Sequence, residues 1–143
     1  KMASTGILNT RYFKIQSAAF AGTPAAITCQ TNADVSVTND TRDATCKDSG
    51  QWKEMEYAQT GWSMSGDALA SEDGSNSYGA LAALALAQTK VAVVIGTGVS
   101  GDIKLSGTAL ITEWSVSSSG TNENVQVKYS FQGTGALTKG TFT

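Results

Sequence analysis

A chain of 143 residues fits one domain, long enough to bury roughly two-thirds of its unfolded surface in a single core. A formal charge of -2 offers no basic footprint to nucleic-acid phosphates. The longest apolar run, residues 81–87, is far short of the ~20 residues that cross a bilayer, so no membrane span is expected. Only 15% of the residues are charged, against 41% apolar, and Gly, Ser, Thr and Ala dominate the remainder. Such a mixture favours strands and turns, and leaves a surface that other chains can desolvate cheaply.

The N-terminus lacks the basic and apolar regions of a signal peptide, which implies a cytosolic origin. Cys29 and Cys46 are far apart and show no metal-ligand spacing, so two reduced thiols are expected.

In chain order, residues 1–24 form a weakly patterned arm that ends in a turn at Pro24, ahead of a strand over residues 25–29. Val35 and Val37 alternate with polar neighbours and predict a second strand. Residues 38–50 collect Asn, Asp, Thr, Ser and Gly without periodicity and predict a long polar loop, which in a compact domain needs a role. Period two returns with Met55, Tyr57, Trp62 and Met64, predicting strands bent near Thr60 and Gly61. The polar run 71–76 predicts a turn and N-cap for a helix over residues 78–88, where Leu81, Leu84 and Ala85 take helical spacing. Val91, Val93 and Ile95, then glycines, then Ile103 and Leu105 predict a hairpin. Ile111 and Trp114 are an odd number apart, so the strand over residues 102–117 should carry a bulge. The last strand alternates Val125, Val127, Tyr129 and Phe131 with polar residues, and residues 137–143 are read as a tail.

The absence of His removes the commonest general base and metal ligand, and no Ser or Cys sits in a nucleophile motif. Gly96-Thr97-Gly98-Val99-Ser100-Gly101 spells G-x-G-x-x-G after a strand, but alternation follows where a dinucleotide site needs a helix, so a hairpin turn is expected. Asp67, Glu72 and Asp73 lack calcium-loop spacing and read as a solvated loop. Glu54 and Glu56 are the best case for paired glycosidase carboxylates, and an exposed strand face is their plainer reading. Trp52, Trp62 and Trp114 allow a carbohydrate-binding module, though buried or interface positions suit Trp better. No cofactor or metal is expected.

Residues 43–54 (Asp-Ala-Thr-Cys-Lys-Asp-Ser-Gly-Gln-Trp-Lys-Glu), then Thr60-Gly61-Trp62-Ser63-Met64-Ser65-Gly66-Asp67, then Phe131-Gln132-Gly133-Thr134-Gly135-Ala136-Leu137, resemble the bacteriophage major tail protein (tail tube protein) family of long-tailed phages. Ala68 departs from that family's Gly. The resemblance implies a mainly β fold, a small β-barrel or sandwich with one flanking helix and a long loop. It also implies a structural, non-enzymatic subunit that self-assembles into hexameric rings, stacked as a tube through which DNA passes as cargo. Implied partners are tape measure, tail terminator and baseplate or tip proteins. The implied location is the virion tail, assembled in the bacterial host cytoplasm. The loop over residues 38–50 would reach the next ring, with Asn39, Asp40, Arg42, Asp43, Lys47, Asp48, Trp52 and Lys53 as inter-subunit residues. A tube protein of a phage-derived injection system or gene transfer agent is the nearest alternative, and an adhesion module the alternative of another class.

Overall fold

The chain forms seven strands, seen in a computed structural model that describes residues 6–7, 12–19, 24–27, 29–71 and 78–143. They are β1 (Lys14–Ala19), β2 (Ala25–Ala26), β3 (Gln30–Asp43), β4 (Met55–Leu69), β5 (Val91–Gly96), β6 (Ile103–Ser117) and β7 (Gln126–Thr141), with one helix, α1 (Tyr78–Ala87). All pair antiparallel in one sheet of order β2-β1-β5-β6-β7-β4-β3. Most of the expected N-terminal arm and the turn at residues 72–76 lie outside the described residues.

Four strands separate β1 from β3 in that order, yet the two meet. The Gln30 side-chain amide accepts from the Ile15 backbone N–H at 2.9 Å and donates to the Ile15 carbonyl at 2.7 Å and the Ile27 carbonyl at 3.2 Å. A side chain thus does the work of a missing strand pairing, and the sheet curls into an incompletely closed barrel. Inside lie Ile15, Met64, Val91, Val93, Ile95, Val127, Tyr129 and Phe131, the alternate positions of β1, β4, β5 and β7. Tyr129 and Phe131 sit two apart on one face, rings tilted with centroids 5.7 Å apart. Burial, and then the neighbouring Asp67 carboxylate, push the Tyr129 phenol up from its ordinary value.

Trp62 fills the fork where β4 parts from β7. Its indole N–H donates to the Gly135 carbonyl at 3.0 Å, and a Cβ on Gly133 would stand 2.1 Å from the ring. Only a glycine admits the indole there. Leu81 of α1 is buried against the core and Leu84 half-buried, while Leu86 is exposed. Gln88 has φ 55°, the left-handed residue that ends the helix.

The bulge expected between Ile111 and Trp114 is present: Ile111 faces Phe131 and Glu113 faces Ser130, so Thr112 is the extra residue. A second irregularity sets Gly135, Ala136 and Leu137 against Gly107 alone. Gly98 (φ 77°) and Gly101 (φ 89°) form the turn between β5 and β6, as their spacing predicts, with no helix after it. Thr97 donates to the Asp102 carboxylate, and Gly101 N–H to the Phe142 carbonyl at 2.8 Å, so this turn fastens the chain's last residues.

Four expectations are corrected. Lys14–Ala19, assigned to the arm, is strand: Ile15 and Ser17 are buried against β5, but a short run rich in small residues has little apolar alternation to betray it. The strand expected over residues 25–29 is only Ala25–Ala26, because Cys29 turns to φ 59°. The loop expected over residues 38–50 begins only after Asp43, and β4 runs unbroken through Thr60 and Gly61, because these residues pair with one another rather than pack on a core. The C-terminal tail is strand to Thr141, paired with β6.

Candidate assembly surfaces

Beyond Val37, β3 and β4 leave the body as a two-stranded arm. Residues 38–43 and 55–61 are exposed on both faces, and β7 pairs with β4 only from Ser63 onward. An isolated ribbon is marginal in water, so the arm needs local bonds. Arg42 pairs with Glu56 across it at 2.5 Å, and the Thr60 hydroxyl donates to the Asn39 side-chain carbonyl at 2.8 Å.

The tip is equally ordered by its own polar groups. Ala44 N–H donates to the Glu54 carbonyl at 2.9 Å, and the Thr45 hydroxyl accepts from Glu54 N–H at 2.8 Å. Hydrogen bonds from Thr45, side chain first and then backbone, hold the Asp43 carboxyl below its usual range. Cys46 caps a short 3-10 turn, Lys47–Ser49: its N–H donates to Ser49 Oγ at 3.1 Å, and Ser49 N–H donates back to its carbonyl at 3.0 Å. The Ser49 hydroxyl beside the Cys46 sulfur, then the backbone, draw the thiol below its ordinary pKa.

All eight expected inter-subunit residues fall on this arm, and all are exposed. Asn39, Asp40, Arg42 and Asp43 lie in β3, Lys47 and Asp48 in the 3-10 turn, and Trp52 and Lys53 on the return to β4. Trp52 and Tyr57 are each 75% exposed, and Met55 is half-exposed. Such large apolar groups on a coreless arm suit an interface. Glu56 is engaged with Arg42, and the Glu54 backbone with Thr45. Trp62 is buried and Trp114 half-buried, so the three tryptophans form no shared exposed platform.

Among the described residues, two of the open strand edges lie on the outer flanks of the four long strands. β3 is the last strand of the sheet, and β5 pairs with β6 only from Lys104 to Ala109, leaving the outer edge of residues 110–117 without a strand. Which strands carry these edges cannot be read from the sequence, since pairing order is not written in any one strand.

The side of the four long strands away from the core is polar. Asp34, Ser65, Ser130 and Glu113 form one row across β3, β4, β7 and β6, and Asn32, Asp67, Lys128 and Ser115 the next. All of these except Ser115 line a shallow concavity carrying three carboxylates and one ammonium.

A curled β-domain with open edges, a coreless arm and an uncovered polar sheet face is built as an assembly subunit. The phage tail tube protein family matches residues 10–139, and the chain belongs to that family. Solved structures agree in fold. The tail of an empty gene transfer agent particle, refined with C6 symmetry, aligns at TM-score 0.77 and 18% identity over 96% of this chain and 99% of that one. The SPP1 tail tube aligns at TM-score 0.69 and 13% identity over 90% of this chain and 75% of that one. A chain of the anti-feeding prophage baseplate aligns at TM-score 0.67 and 14% identity, over 95% of this chain and 96% of that one. No curated protein sequence matches.

Proposed function

We propose that copies of this chain stand side by side in hexameric rings, stacked into a tube whose bore passes DNA. The observation that carries this is the strand order. β6, β7, β4 and β3 alternate in direction, so β3 of one copy meets the open edge of β6 in the next as an antiparallel neighbour. Four is an even number, and rotation about an axis along the strands repeats the alternation without a fault. The open edges of β3 and of residues 110–117 in β6 would then cover each other, which removes two exposed templates for wrong pairing. The C6 symmetry of the similar gene transfer agent tail supports a ring of six.

In such a ring the polar rows would face the bore. DNA held by a line of Lys or Arg would release counterions and stay bound, whereas Asp34, Asp67 and Glu113 outnumber Lys128 and favour sliding. The arm, projecting along the strands, would meet the next ring through Trp52, Lys53 and the 3-10 turn. The tube ends would take terminator and baseplate proteins, and the bore a tape measure protein. The role is structural, and the virion tail is its setting.

Electron microscopy of the concentrated protein tests this. Hollow rings or tubes are expected; a chain found in its source particles only as single copies at a tail tip would sink the proposal.

A further inference from the structure

Helix α1 reads Tyr-Gly-Ala-Leu-Ala-Ala-Leu-Ala-Leu-Ala, without a charged residue on any side. A helix apolar all round is normally covered all round. Here only one side is: Leu81 is buried, while Leu86 is 85% exposed. Between α1 and β6 runs a largely apolar groove lined by Ala82, Ala85, Leu86, Ile111 and Trp114, with Thr112 and Glu113 of β6 on its rim. It follows the very stretch of β6 whose outer edge lacks a strand.

The other flank of the molecule is open in a matching way. Val35 and Val37 stand opposite Met64 and Trp62 in register, so they share the core-facing side of β3, the last strand. Val35 is half-buried and Val37 49% exposed. The hydrophobic core therefore ends unsealed at both lateral edges, at α1 and β6 on one side and at β3 on the other.

We infer that α1 is a clasp across the joint between two copies of this chain: its Leu86 side covers Val35 and Val37 of the neighbour's β3. The occupant of the groove is a second copy because the groove is continuous with the β6 edge, and a strand added there in register places its inward side chains directly under α1. A β3 strand offers two valines on that side and no charge at positions 33, 35 or 37. Joining the edges then fuses six separate cores into one ring-shaped core, with α1 as its outer cover. This rests on the edge-to-edge reading above.

The test is Leu86→Asp in the full chain. Leu86 is exposed in the single subunit, so the variant should keep its circular dichroism and unfolding midpoint. The concentration needed for ring formation, read by sedimentation and electron microscopy, should rise about tenfold or more, as loss of a buried leucine at each joint requires. Leu86→Met should assemble as the natural chain does. Rings from Leu86→Asp at less than twice the normal concentration overturn the clasp while leaving the tube reading intact. A natural chain that forms neither rings nor tubes overturns the reading on which the clasp rests.

Discussion

Gly133 shows how much of this fold depends on single atoms. Its missing side chain is the floor on which the Trp62 indole lies, and Gly107 gives the same ring a second clear approach at 2.6 Å from where a Cβ would be. Overpacking at such a contact costs about 1–3 kcal/mol. Gly133→Ala should therefore lower the unfolding free energy by an amount in that range, read as a lower urea midpoint at unchanged slope. Combining it with Trp62→Leu should recover part of the loss, because the smaller side chain vacates the space. Independent, additive losses in that double variant would show that the two residues do not share the fork. Gln30 is the other residue on which closure hangs, and its polar side chain in a polar stretch carries no pattern that marks it in sequence.

At the scale of elements, the arm separates fold from assembly. Residues 38–43 and 55–61 make no contribution to the core, so replacing residues 40–59 by an Asn-Gly turn between Asn39 and Thr60 should leave the unfolding midpoint nearly unchanged. The product should form rings and fail to extend them into tubes, as electron microscopy would show; full-length tubes from it would remove the arm from ring stacking. The arm also marks where sequence reading stops. The strands of the body announce themselves through Met64, Val91, Val93, Val127 and Tyr129, whose alternation reflects one dry and one wet side. The bulge at Thr112 is legible for the same reason, as a slip in that alternation. Residues 38–43 have two wet sides and no alternation to display, so a paired strand reads as a loop. Residues 137–141 are hidden likewise behind Gly133 and Gly135. The expected site residues were nonetheless drawn together on one element, because the motif that carries the family resemblance is the arm's own tip.

At the scale of the whole molecule, the polar face gives the assembly its proposed electrical character. Asp34 and Asp67 lie on adjacent rows of the four long strands, beside Lys128. Changing both to Lys would leave one carboxylate, Glu113, against three ammonium groups in that concavity, without touching the core. Tubes of Asp34→Lys, Asp67→Lys should still form, and should retain short double-stranded DNA with an affinity that falls steeply as salt rises. Natural tubes should retain little. Equal retention by both would mean that these rows do not face the bore.

The even strand count has one more consequence. A joint that repeats four alternating strands is indifferent to how often it is repeated, so edge pairing alone cannot decide how many copies close a ring. That number follows from the angle through which each copy turns the sheet, and bulges are the places where a sheet turns. In the proposed ring, Thr112 in β6 and the excess of Gly135, Ala136 and Leu137 in β7 are therefore where the turn made by each copy, and with it the width of the bore, would be set.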